Sequence, residues 1–185
     1  MSEHLNNSSE KVEKVLKVFW AWQDDQEEKW LGEMARSGMH LQAVMPFVYA
    51  FSRGKPEDYV YRLDYKNTLD KDYPEYQAIF RDSGWELVAV MSNWHYYRIR
   101  PDNEVVPEIY NDNLSKSIKY QRLLGIFLPL FVVITLIVPP SMLNNSRPYP
   151  GMWWDVVTII GLAIKLFFIY AIIRIAGKLN QLRKS

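Results

Sequence analysis

The residues whose types could carry catalysis or hold a metal are three histidines, His4, His40 and His95, and a run of four acids, Asp24, Asp25, Glu27 and Glu28. Metal sites need imidazoles, thiolates or carboxylates converging at fixed spacing. No His-x-x-x-His pair or comparable arrangement exists, and the chain has no cysteine. Thiolate ligands, cysteine nucleophiles and disulfides are therefore excluded. The four acids read more simply as the first turn of a helix, where negative charge favours the helix dipole. With 8 glycines in the chain, no phosphate-binding loop, nucleophile elbow or Gly-x-Gly-x-x-Gly run is present. No catalytic, cofactor-binding or metal-binding residue is assigned, and the expectation is a chain that is not an enzyme and carries no cofactor.

Aromatic residues offer a different chemistry. Five of the seven tryptophans precede residue 115. Strand-like alternation puts Leu16, Val18, Trp20 and Trp22 on one face, and Tyr59, Tyr61, Leu63 and Tyr65 on one face of a later strand. This exceeds what one buried face of a small domain needs, so Trp20, Trp22 and Trp94 form a candidate partner surface. A further candidate, for an intramembrane interaction, is Lys165, which lies in the middle of a long apolar run. A central lysine costs about 2.5–3.5 kcal/mol on insertion scales. It has two readings: a contact with another membrane component, or a side chain that snorkels to the interface.

The elements that must position these residues follow from the charge and hydropathy pattern. A net charge of +1 and a mean hydropathy of −0.20 describe an average of two unlike parts. Residues 1–115 hold 13 Lys and Arg against 20 Asp and Glu, a net of −7, and residues 116–185 hold 9 against 1, a net of +8. An acidic domain argues against nucleic acid as a partner, since phosphate binding needs clustered cations. The tail contains two apolar runs, residues 123–138 and 153–173, near the ~20 residues that cross a bilayer as a helix. Lys116, Lys119 and Arg122 precede the first, and Arg174, Lys178, Arg183 and Lys184 follow the second, whereas residues 141–151 between them carry only Arg147. By the distribution of positive charge, both termini are expected in the cytoplasm. The polar start of the chain does not read as a secretory signal. The expected organisation is a disordered N-terminus (1–11), a cytosolic domain (12–100), a linker and juxtamembrane helix (101–122), a first span (123–140), an external loop (141–152), a second span (153–174) and a basic tail (175–185).

The cytosolic part contains an internal repeat. The nine residues 37–45, SGMHLQAVM, align without gaps on 83–91, SGWELVAVM, with six identities at an offset of 46. Trp30 and Met34 fall opposite Tyr76 and Phe80 at helical spacing, and a segment rich in β-formers precedes each helix, at 15–22 and 59–66. Gly38 and Gly84 stand where a helix end needs a left-handed residue. The Leu-x-Ala-Val pattern that follows is strand-like. Each half (12–54 and 55–100) therefore reads strand, helix, strand, strand. The expected fold class is α+β: duplicated units forming one ferredoxin-like antiparallel sheet with two helices on one face, followed by a two-helix transmembrane hairpin.

Four blocks in this order, FWAWQDDQEEKWL (19–31), GMHL (38–41), PEDYVYRLDY (56–65) and GWEL (84–87), resemble the bacterial "domain of unknown function 2812" proteins over about residues 12–122. Met39 departs from the tryptophan usual at that turn. The resemblance implies a bacterial protein, often anchored in the membrane and commonly encoded near PadR-type transcriptional regulators, and it supplies no activity or catalytic residue. The expected function is that of a membrane-anchored, non-catalytic regulatory or binding module in the bacterial cell membrane. Its partners would be the lipid bilayer and a protein or small molecule. An accessory subunit of a membrane transporter complex is the alternative.

Overall fold

A computed structural model describes residues 12–101, 113–137 and 152–184. The chain divides into two compact units, Met1–Ile109 and Tyr110–Ser185. The first unit runs β1 (Glu13–Leu16), α1 (Asp24–Arg36), β2 (Met39–Met45), β3 (Val48–Arg53), β4 (Val60–Tyr65), α2 (Tyr73–Asp82), β5 (Glu86–Met91) and β6 (Trp94–Ile99). The second holds α3 (Asn113–Ile137) and α4 (Met152–Lys184). The α+β class, with two strand-helix-strand-strand units ahead of a two-helix hairpin, thus holds.

Local chemistry accounts for the element ends. Asp24, Asp25 and Glu27 occupy the first turn of α1 and Arg36 its last, each sign where the helix dipole favours it. The N-cap is Gln23, whose side chain turns back to accept from Trp20 N at 2.9 Å. That turn is why β1 is short. The strand expected over 15–22 leaves the ladder after Leu16, with one last bond from Lys17 N to Phe47 O, and residues 20–23 fold into the entry of α1. Gly38 and Gly84 follow the two helices at φ +82° and +83°.

The sheet differs from the expectation. Instead of a single six-stranded sheet there are two three-stranded antiparallel sheets, ordered β1-β3-β2 and β4-β6-β5. Strands β2 and β5 lie side by side without a hydrogen-bonded ladder between them. Each carries an extra residue in its ladder, Gln42 and Val88, at corresponding places. Such bulges bend and twist a strand.

Nor do the two helices share one face. Leu31 and Ala35 of α1 pack in one core with Leu41 and Phe51 of the first sheet and with Tyr61, Leu63 and Tyr96 of the second. Helix α2 packs through Phe80 and Tyr76 on Tyr97, in a separate small core with Trp85. Adjacent residues of a strand point to opposite faces, so Tyr96 and Tyr97 put α1 and α2 on opposite sides of β6. The physical reason is coverage. The second sheet carries large apolar side chains on both faces, and α1 covers the one that α2 leaves bare. Its Glu28 also accepts from Leu63 N on β4 at 2.8 Å, which satisfies part of that edge.

In the second unit, α3 and α4 run antiparallel, with Tyr120 beside Lys178 and Phe127 beside Phe168. Ser117, Tyr120, Leu123, Ala171, Ile175 and Leu179 are buried, while Leu136, Ile159 and Ile173 point outward. Two stretches, Ser117–Ile137 and Asp155–Arg183, are long and apolar enough to cross a membrane. The expected external loop and most of the expected linker lie outside the described residues.

Candidate ligand-binding cleft

The first unit contains a cleft of about 270 Å³. Its walls come from the β1–α1 connection, the first turn of α1, and the two hairpin turns β2–β3 and β5–β6. These turns are tight and unlike each other. Phe47 sits at φ +65° in the first and Ser92 at φ +55° in the second. Pro46 and Phe47 are the two central residues of the first turn, and Pro followed by a left-handed residue suits a type II turn. Neither Phe47 nor Ser92 is a residue that favours this conformation, and both line the cleft. Local strain of this kind concentrates at binding sites.

Glu27 stands at the cleft with 7 % of its surface exposed. Its Oε1 accepts from two tyrosine hydroxyls, Tyr49 at 2.6 Å and Tyr96 at 2.9 Å. Tyr49 comes from β3 and Tyr96 from β6, so the carboxyl ties both sheets to α1. Asp24, one helical turn earlier, is also buried and lines the same cleft. Burial pushes the proton affinity of Glu27 up; the two tyrosine bonds pull it back, and the nearby Asp24 charge raises it again. Tyr49 and Tyr96 are pushed up in turn, first by burial and then by the Glu27 charge.

The raised affinity of Glu27 has a sign that can be measured. Between its ordinary value of 4.5 and the higher value in the folded chain, the folded state holds more protons than the unfolded state. Stability from this group is therefore complete below 4.5 and is lost as pH rises through the folded value. Glu27→Gln keeps an oxygen for both hydroxyls and removes the titration. Chemical denaturation should show the variant gaining on the wild type as pH rises from 4.5 through the folded value. A constant difference across that range would mean that Glu27 titrates normally.

The corresponding positions in the second half, 46 residues on, also make a polar pair. Tyr73 of α2 and His95 of β6 meet at 2.8 Å between hydroxyl and Nε2. Around them Tyr76 donates to Asp64 at 2.9 Å, and the buried Lys66 ammonium reaches Asp70 at 3.0 Å and Asp72 at 2.6 Å. Burial lowers the proton affinity of His95, which is fully enclosed.

Of the tryptophans singled out by alternation, Trp20 is 44 % exposed, Trp22 is 3 % exposed and Trp94 is half-buried. Trp20 and Trp22 lie in the β1–α1 connection, not on a strand face, with their rings stacked at 5.8 Å. Trp94 opens β6, edge-on to Tyr65. Trp20 and Trp94 both line the cleft. Lys165 lies half-buried in α4 and takes part in an interaction of its own. His40 bonds the Lys55 carbonyl at 2.9 Å, and His4 lies outside the described residues.

Sequence reasoning took Asp24 and Glu27 for a helix first turn and did not connect them to Tyr49 and Tyr96. A signal for the acids was present: residues 24, 27, 31 and 35 fall on one helical stripe. Asp24 and Glu27 thus continue the buried line of Leu31 and Ala35. An acid on the apolar stripe of a helix is a buried charge that needs partners. The tyrosines gave no such signal, because their convergence on Glu27 depends on how the two sheets meet.

These features define an α+β domain with an aromatic, acid-floored cleft, joined to an apolar helical hairpin. The sequence model of a family described as protein of unknown function (DUF2812) matches residues 23–132, and the chain belongs to that family. The matched span includes Asp24, Glu27, Tyr49, Trp94 and Tyr96, and leaves Lys17, Phe19 and Trp20 outside it. No curated protein and no solved structure matches the chain.

Proposed function

We propose that this chain is a membrane-anchored, non-catalytic binding module of bacteria, regulatory in role, whose cytosolic domain takes a small-molecule ligand in the cleft. The observation that carries the reading is the arrangement at Glu27: a nearly enclosed carboxyl, fixed by tyrosines from two sheets, beside a cleft walled by Trp20 and Trp94. Ligand sites combine apolar and aromatic walls with a few placed polar groups in this way. The recurrence of one strand-helix-strand-strand unit at an offset of 46, with polar pairs 27/49 and 73/95 in corresponding places, supports an origin by duplication. The helical hairpin supplies the anchor, and the positive flanks of its two spans support a cytoplasmic location for both termini.

One preparation tests the reading. The full chain should stay with the membrane fraction through an alkaline wash. After detergent extraction, fragments from a library of mixed charge should raise its melting temperature in a saturable way, and Trp94→Ala should abolish those shifts. Recovery in the soluble fraction would remove the anchor. A library that produces no saturable shift would remove the binding site.

A further inference from the structure

We infer that the cleft is a site for a small organic cation, an ammonium group on a compact apolar body. This inference rests on the reading of the cleft as a ligand site and names the chemistry it selects. Only Oε1 of Glu27 is occupied, by the two tyrosine hydroxyls. Oε2 has no hydrogen-bond partner among the described residues and is not one of the enclosed polar atoms, so it keeps some solvent access on a residue that lines the cleft. A carboxylate that is nine-tenths buried and half-satisfied is costly until a donor reaches it. The tyrosines leave the ligand one oxygen with a fixed direction.

The neighbouring charges select the sign of the ligand. Asp24 lines the same cleft, and its carboxylate raises the proton affinity of Glu27. A cation is stabilised by both carboxylates, an anion is repelled by both, and a neutral donor gains only the hydrogen bond. Among the described residues no three carboxylates or imidazoles come together, so a bare metal ion lacks the ligand set it requires. The walls favour an organic body. Trp20 and Trp94 line the cleft, and aromatic rings of this kind attract ammonium groups. The Lys17 ammonium already stands 5.9 Å from the Phe19 ring centre and 6.0 Å from that of Trp30, at the margin of the cleft. Lys17 is the like charge that an incoming cation must tolerate. The volume of about 270 Å³ sets the size, below the ~300–1,000 Å³ of pockets for drug-sized ligands. A single ring with a short amine arm suits it.

The test uses the full chain in detergent and three probes of similar shape: benzylamine, benzyl alcohol and benzoate. Benzylamine should raise the melting temperature in a saturable way, with the alcohol far weaker and benzoate inactive. Glu27→Gln, which keeps both tyrosine bonds, should weaken benzylamine about tenfold or more. Lys17→Ala should tighten benzylamine, because a repelling charge is gone. Trp20→Ala, an exposed position, should weaken it while costing the free protein far less stability than Trp22→Ala does. Equal shifts from benzylamine and benzyl alcohol, or unchanged benzylamine affinity in Glu27→Gln, would overturn the inference. If the alcohol or benzoate binds and the amine does not, the cation class falls and the cleft remains a ligand site. If none of the three binds while other fragments do, the cation class again falls alone. If no fragment binds at all, both readings fall together.

Discussion

Replacing Gly38 with alanine should cost about 3 kcal/mol or more of folding stability, whereas the same change at Gly84 should cost about 1–2 kcal/mol. The two glycines end the two helices of the first unit, 46 residues apart, with nearly identical backbones at φ +82° and +83°. The left-handed conformation penalises any Cβ at both places by a similar amount. The surroundings differ. A Cβ on Gly38 would lie 2.6 Å from the Gly54 carbonyl oxygen, a backbone atom that cannot rotate away. Gly54 N donates to Gly38 O at 2.9 Å, so the clash also breaks the bond that ties the α1 end to the connection between the two halves. A Cβ on Gly84 would meet only the Ile99 Cδ1 methyl, at 3.4 Å. Denaturant titrations of the two variants, followed by near-ultraviolet circular dichroism, measure the contrast. Equal costs would show that the Gly38–Gly54 approach relaxes freely, and that only the shared backbone conformation matters.

That contrast also shows which parts of the fold could be read from residues alone. The two Ser-Gly steps, the acids at the start of α1 and the strand-like alternation after each glycine act over a few residues. They located the helices and hairpins correctly. The division into two sheets depends on the bulges at Gln42 and Val88 and on how β2 and β5 meet, which are distant interactions with no local code. The same holds for α1. Its stripe of Asp24, Glu27, Leu31 and Ala35 is visible in the sequence, but its placement between both sheets is not. Treating the four acids as a dipole effect concealed two separate roles. Glu27 joins two tyrosines, and Glu28 satisfies the edge of β4 at Leu63.

The aromatic excess pointed to an open sheet face, whereas Trp20 and Trp22 lie in the β1–α1 connection and Trp20 and Trp94 line the cleft. The three tryptophans should therefore separate sharply on truncation. Trp22, 3 % exposed, is buried within the β1–α1 connection, and Trp22→Ala should cost about 3–5 kcal/mol as a core aromatic does. Trp20 lies over it, with rings 5.8 Å apart and 9° from parallel, and 44 % of its surface is open. Trp20→Ala forfeits part of an aromatic pair and little burial, so its cost should stay at about 1 kcal/mol or less. Trp94 packs against the main core and lies edge-on to Tyr65 at 5.4 Å while still reaching the cleft, which places Trp94→Ala between the two, at about 2 kcal/mol. Chemical denaturation of the three variants gives the order directly. If Trp20→Ala proves as damaging as Trp22→Ala, Trp20 is a core residue and the cleft has no open aromatic wall. If Trp22→Ala is as mild as a surface change, the residues before α1 are not packed as described, and the first turn of α1, with Asp24 and Glu27, loses the support that holds its carboxyls at the cleft.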